Sequence, residues 1–175
     1  REAFDLEARI NNSFIKKTKS RNFRNVQANN LANSVKTKVA EEEDELSLWL
    51  KDIYGPINKL IGQVINPFQK KIRELSGDPY DDHLMESFCS YIQDSQVKLK
   101  KVEYLYRSKI APNSAEGLAI NLYRCFSQLQ DALNEIDKYT MGYVDNYLHD
   151  GQEMIREAKK IRSLLQEERG NLPRF

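Results

Sequence analysis

Apolar residues recur at three- and four-residue spacing along most of the chain, and glycine and proline divide this pattern into long segments. Such spacing places apolar side chains on one face of an α-helix. The pairs Gly55-Pro56 and Gly77-Asp78-Pro79 and the single Pro112 predict turns. Apolar and polar residues never alternate for long enough to predict a strand. The sequence therefore predicts an all-α fold, an elongated bundle of about five antiparallel helices.

The breaks in the pattern define five predicted helices, which cover residues 2–19, 26–53, 57–75, 80–110 and 113–169. Residues 20–25 are polar and predict a loop. Proline removes a backbone hydrogen bond inside a helix, so we expect Pro67 to kink the third helix or to split it in two. Asn113 or Ser114 is expected to cap the last helix. Its apolar pattern keeps almost the same register across Gly142 and Gly151, which favours one long helix over two helices with a turn near residues 150–151.

Length and cysteine content bound the class of protein. The chain has 175 residues, which predicts a single domain over residues 1–175. It begins at Arg1 rather than at methionine, so we expect a processed chain or a piece of a longer protein. The two cysteines, Cys89 and Cys125, are too few for a secreted disulfide scaffold. We interpret them as buried thiols of a reducing, cytoplasmic compartment, with a single disulfide between helices as the alternative.

Charge is unevenly distributed although the net charge is only +1. Residues 8–40 contain basic residues and no acid, and residues 41–45 are all acidic. This polarity favours docking to a protein partner or pairing between copies, and an anionic membrane is a second candidate partner. The alternative is that these charges pair within the fold. Nucleic acid is disfavoured, because the isoelectric point is only about 7.9 and no recognition motif is present. The candidate basic surface comprises Lys16, Lys17, Lys19, Arg21, Arg24, Lys98, Lys100 and Lys101.

The residues that commonly carry catalysis form no recognisable set. The two histidines, His83 and His149, belong to no Glu-x-x-His pair. Cys89 follows His83 by six residues, which places the two side chains on different faces of a helix. The glycines are scattered, so they form no phosphate-binding loop. The sequence predicts a protein that is not an enzyme and that binds no metal or cofactor.

Aromatic residues are the best candidates for contact with a partner. Tyr139, Tyr143 and Tyr147 recur every four residues and predict one stripe along a helix. Tyrosine combines an apolar ring with a polar tip, which suits a docking face and equally the rim of a bundle. Trp49 is the only tryptophan. It is interpreted as a core anchor or, alternatively, as an exposed anchor for a partner.

Three functions remain open from the sequence. The leading hypothesis is a non-enzymatic interaction or scaffold domain that binds protein, or a second copy, through a long helix face. The second is a peripheral membrane-binding bundle with basic faces, similar in architecture to crescent-shaped, curvature-sensing domains. The third is a small-molecule sensor that holds its ligand between the third and fourth predicted helices.

Overall fold

The computed structural model describes the backbone of residues 2–175 and the side chains of residues 24–175. Over this backbone the fold is all-α, as predicted, and no strand is present. The five helices are α1 (Glu2–Trp49), α2 (Gly55–Gly77), α3 (Asp82–Ser108), α4 (Glu116–Gly142) and α5 (Asp145–Asn171). A π-helical turn, Leu50–Tyr54, precedes α2, and a short 3-10 turn, Asn113–Ala115, precedes α4. The chain forms two compact units, Arg1–Asp44 and Glu45–Phe175.

The unit Glu45–Phe175 is a helical bundle in which α2 packs on α3, α3 on α4 and α4 on α5. Short connections reverse the chain between these helices, so that neighbours run antiparallel. Contacts between α4 and α5 show the reversal: Asn121 near the start of α4 bonds to Glu168 near the end of α5, and Cys125 bonds to Ala158. Water exclusion from the shared apolar faces stabilises this packing. The largest fully buried side chains are Trp49, Phe68, Phe88, Phe126, Ile57, Ile61, Ile92, Leu99, Leu122, Leu129, Leu133 and Ile136.

Gly55-Pro56 does not turn the chain, and that prediction is wrong. Proline lacks an N–H and therefore cannot make the helical bond to the carbonyl four residues back. The π-helical turn Leu50–Tyr54 lies directly before this pair, and the N–H of Gly55 donates to the carbonyl of Leu50 across it. Pro56 then falls in the first turn of α2, where a missing N–H costs little.

The last predicted helix is two helices, so the preference for one long helix is also wrong. The break follows Gly142, whereas the two-helix alternative had placed a turn near residues 150–151. Tyr143 adopts a left-handed conformation with φ 55°, and its N–H donates to the carbonyl of Tyr139 at 2.8 Å, which ends α4. Gly151 is a buried position inside α5. The apolar register persists because α4 and α5 fold onto each other and use the same spacing to pack.

Three smaller predictions also change. No loop interrupts residues 20–25, since the helix α1 includes them. Pro67 lies inside α2 and does not split it, while the expected kink there stays a prediction. Neither Asn113 nor Ser114 caps α4, because the 3-10 turn precedes that helix and Ala115 stands at its cap position without a side-chain bond.

The unit Arg1–Asp44 exposes every described side chain, from Arg24 to Asp44. The apolar stripe predicted for the second helix therefore has two fates. Its first part, which includes Leu31 and Val35, is exposed. Its last part, which includes Leu46 and Trp49, is buried in the core of the other unit.

Candidate functional site

Two turns at one end of the bundle bring tyrosines from distant parts of the sequence together. The turn between α2 and α3 presents Tyr80, whose N–H donates to the Asp78 carboxylate at 3.1 Å. The turn between α4 and α5 presents Tyr143. The two rings stack with their centroids 5.6 Å apart. Tyr143 also meets Tyr139 edge to face at 6.1 Å. With Tyr147 in the first turns of α5, these residues form what we call the tyrosine cluster (Tyr80, Tyr139, Tyr143 and Tyr147).

The members of the tyrosine cluster differ in exposure. Tyr139 is only 3% exposed and anchors the cluster to the core, whereas Tyr143 is 42% and Tyr80 79% exposed. Met141 and Val144 beside them are exposed as well. Exposed apolar and aromatic side chains that adjoin one another are typical of docking surfaces. The expected stripe of Tyr139, Tyr143 and Tyr147 along one helix does not exist, because α4 ends between its members.

The surroundings of the tyrosine cluster are acidic. Asp78 and Asp82 lie in the chain beside Tyr80, and the sequence from Glu74 to Val97 contains no lysine or arginine. Burial, and next to it the Asp145 carboxylate, raises the pKa of Tyr139, so its hydroxyl stays protonated at neutral pH.

Lys138 is the one cation between residues 131 and 153. Its ammonium group lies 5.5 Å from the centre of the Tyr147 ring, which is a cation–π contact. The same group bonds to the Glu135 carboxylate at 2.6 Å, and this bond raises the pKa of Lys138. Because its charge is compensated there, Lys138 leaves the surface around the tyrosine cluster acidic.

Trp49 belongs to the core and is not an exposed anchor, since only 1% of it is accessible. It also forms the inner wall of a cleft of about 490 Å³ between the end of α3 and the start of α4. Ile110 and Ile120 line the mouth of this cleft and are exposed. The Lys109 ammonium group lies 3.8 Å from the Asp52 carboxylate at its edge. The cleft can hold an apolar side chain. It does not lie between the third and fourth predicted helices, where a sensor's ligand was expected.

Four of the eight predicted basic residues have described side chains, one in the unit Arg1–Asp44 and three in the unit Glu45–Phe175. Arg24 is exposed in the unit Arg1–Asp44, whereas Lys98 is half-buried and Lys100 and Lys101 are exposed on α3. Lys100 shares a second cleft with Asp131, a carboxylate of α4. The remaining candidates, Lys16, Lys17, Lys19 and Arg21, lie outside the residues whose side chains are described.

The groups that could perform chemistry are separated from one another. Both cysteines are free thiols. Burial raises the pKa of Cys125 to about 12, so it holds its proton at neutral pH, and the thiol donates to the Ala158 carbonyl. His83 and His149 are exposed on different helices. Among residues 24–175 no group of three or more His, Cys, Asp or Glu side chains is placed to hold a metal ion.

The described structure defines the fold class, an all-α helical bundle with aromatic side chains exposed at one end. A family model described as the C-terminal domain of the cyanobacterial DnaJ chaperone matches residues 41–173. The match covers well over half of the chain, and the chain belongs to this family. It is thereby a chaperone-associated domain suited to protein interaction. No curated protein and no solved structure matches the chain. In the part of the chain that the structure describes, no helix combines the length and apolarity needed to cross a bilayer.

The tyrosine cluster was only partly visible in the sequence. Tyr139, Tyr143 and Tyr147 were identified by their spacing, although the single helical stripe predicted from that spacing does not exist. Tyr80 was missed, because nothing local shows that a turn before α3 lies against a turn after α4. The signal that was present is Gly77-Asp78-Pro79, which predicts a turn and so places Tyr80 at an end of the bundle.

Proposed function

We propose that this chain is a non-enzymatic protein-binding domain of a chaperone, and that its tyrosine cluster docks a cationic, partly apolar segment of a partner protein. The family match supports the chaperone context. The single observation that carries the proposal is the stacked pair of Tyr80 and Tyr143, exposed at a bundle end whose neighbouring charges are acidic.

Charge and chemistry favour a cationic partner. Tyrosine ring faces attract Lys and Arg groups by about 0.5–1 kcal/mol at exposed sites. Carboxylates such as Asp78 and Asp145 flank the rings and add long-range attraction for a positive segment. Met141 adds a flexible apolar surface that adapts to different side chains. An acidic segment would meet repulsion at the same place.

Two matched peptides test this proposal. Both are unstructured and have the same length and the same leucines, but one carries lysine and the other glutamate at its polar positions. We expect isothermal titration calorimetry to detect binding of the lysine peptide alone, and this binding should weaken as salt is added. Tyr80→Ala should weaken it roughly twofold to fivefold, because one ring contact worth about 0.5–1 kcal/mol is lost. Equal binding of both peptides would contradict the proposal.

Tyr104→Ala is the control, because Tyr104 is exposed on α3 outside the tyrosine cluster. We expect this variant to bind the lysine peptide as the unchanged protein does. If both tyrosine substitutions weaken binding equally, the tyrosine cluster is not the docking site.

A peripheral membrane role is the competing outcome. Several cations that could meet lipid phosphates are paired on their own helices: Arg107 with Glu103, and Lys160 with Glu157. Sedimentation with anionic vesicles at low salt, together with failure to bind the lysine peptide, would favour the membrane. A location in the cytoplasm and the absence of catalysis remain parts of this proposal.

A further inference from the structure

The α1 segment from Arg24 to Asp44 carries an apolar face that no described side chain of the protein covers. Leu31 is 72% exposed and Val35 55% exposed, one turn apart on the same face. A helix of this kind commonly uses its apolar face to pair with another helix.

The face follows the alternating four- and three-residue spacing of a coiled-coil seam. Its six positions are Arg24, Ala28, Leu31, Val35, Lys38 and Glu42. Ala28, Leu31 and Val35 in the middle of the seam are small or apolar, Arg24 and Lys38 are cations, and Glu42 is an acid at its last position. Any partner helix must match this order of charges.

A second copy of the same segment matches it in only one direction. A parallel, in-register pair would place Arg24 on Arg24, Lys38 on Lys38 and Glu42 on Glu42, which repel each other. An antiparallel pair opposes Arg24 and Glu42 at both ends. It also opposes Leu31 and Val35 twice at the centre and leaves each Lys38 against the small side chain of Ala28. Sliding the antiparallel pair by one heptad moves Leu31 against Glu42, which removes this agreement.

We propose that the segment Arg24–Asp44 pairs antiparallel with the same segment of a second copy, with Arg24 of each copy bound to Glu42 of the other. Only two leucines and two valines lie at the centre, so the dimer is reversible and concentration-dependent. The surface is distinct from the tyrosine cluster, and the family match begins only at residue 41, near the end of the segment.

Cysteine cross-linking tests the direction of pairing. Ala28→Cys and Lys38→Cys are made separately in a Cys89→Ser background, and Cys125 stays because it is buried. In the antiparallel pair the two copies of residue 28 lie ten residues apart, about 15 Å at 1.5 Å per residue. That exceeds the roughly 7 Å that a disulfide can span between Cα atoms.

Mixing the two variants under oxidising conditions should therefore give the mixed disulfide and little of either homodimer. Asn33→Cys, on the opposite side of α1, is the matched control and should not cross-link. A predominant disulfide between two copies of residue 28 would overturn the proposal, because it reports a parallel pair.

Charge exchange tests the register. Light scattering should show a mass that rises with concentration from 20.4 kDa towards twice that value. Arg24→Glu should weaken the dimer by roughly tenfold or more, since it replaces two attractive pairs by two repulsive ones. The double variant Arg24→Glu, Glu42→Arg should restore it. A strict monomer at the highest attainable concentration would overturn the proposal. A dimer that Arg24→Glu leaves unchanged would overturn it as well.

Discussion

Gly151 allows α4 and α5 to approach each other, and its replacement by alanine gives a sharp test of this packing. A Cβ at residue 151 would lie 2.3 Å from Cγ1 of Ile136 and 3.2 Å from the carbonyl oxygen of Ala132. Ordinary carbon contacts are about 3.5–4.0 Å. Ile136 is completely buried, and because an isoleucine in a helix strongly prefers one χ1 rotamer, its Cγ1 cannot readily move away. The two helices must therefore separate by about 1 Å to admit the methyl group.

Two opposing effects set the magnitude for Gly151→Ala. Alanine favours the helix over glycine by about 0.5–1 kcal/mol. Overpacking a well-packed core costs about 1–3 kcal/mol. The top of that range applies here, because the added methyl group meets Cγ1 of Ile136 and a backbone oxygen. We expect a net loss of about 2–2.5 kcal/mol in the free energy of unfolding, or roughly 4–10 °C in Tm.

Urea unfolding followed by the fluorescence of Trp49 measures this loss, because the only tryptophan lies in the core of the same unit. Gly117→Ala in α4 is the matched control, since a Cβ there meets nothing within 4 Å. It should leave stability unchanged or raise it by up to about 1 kcal/mol. If Gly151→Ala is as stable as Gly117→Ala, the close approach of α4 and α5 does not exist in solution.

Three further outcomes follow from buried polar groups and from the turn after α4. Tyr91→Phe should cost about 1 kcal/mol because the Tyr91 hydroxyl donates to the carbonyl of Val64 in the core, whereas Tyr104→Phe at an exposed site should cost nothing measurable by urea unfolding. Burial raises the pKa of Cys125 from 9.0 and of Tyr91 from 10.0, each to about 12. The folded protein thus keeps protons that the unfolded chain releases. The urea midpoint should therefore stay constant up to pH 9 and fall between pH 9 and 12. In the Cys125→Ala variant this fall should begin at a higher pH. Tyr143→Gly should change the free energy of unfolding by less than about 1 kcal/mol, because relief of backbone strain at φ 55° offsets the lost stacking on Tyr80. The same variant should bind the lysine peptide more weakly. Unchanged binding would show that Tyr143 is not part of the docking site.

Local rules predicted the helices well where one physical effect dominates. The helix predicted over residues 80–110 is an example: α3 begins at Asp82, and the Asp81 side chain caps it by accepting a bond from the N–H of Leu84. The rules failed for glycine, because a glycine can mark a turn or can lie inside a helix. Gly55 was interpreted as the mark of a turn, and Gly151 as the place of the turn in the less favoured two-helix alternative. Gly55 instead lies where a π-helical turn meets α2, and Gly151 admits a neighbouring helix.

The turn that the sequence did not reveal lies where a local preference is broken. Glycine normally takes the left-handed position after a helix, yet Gly142 stays helical and Tyr143 takes that position. A bulky residue with positive φ costs about 1–2 kcal/mol, so the surrounding contacts must compensate. Such exceptions cluster at functional sites. The same conformation directs the Tyr143 ring onto Tyr80, which no pattern along the chain could have predicted.

Two different surfaces would give this protein two separable interactions. The proposed docking site lies within the part that matches the family, and most of the proposed pairing segment precedes that part. Pairing of two copies would join two tyrosine clusters in one particle. A partner with two cationic segments would then bind more tightly than one with a single segment, because its second contact becomes intramolecular. Arg24→Glu should abolish that advantage and leave the affinity for a single segment unchanged. One substitution far in the sequence from Tyr80 and Tyr143 would therefore separate the two interactions.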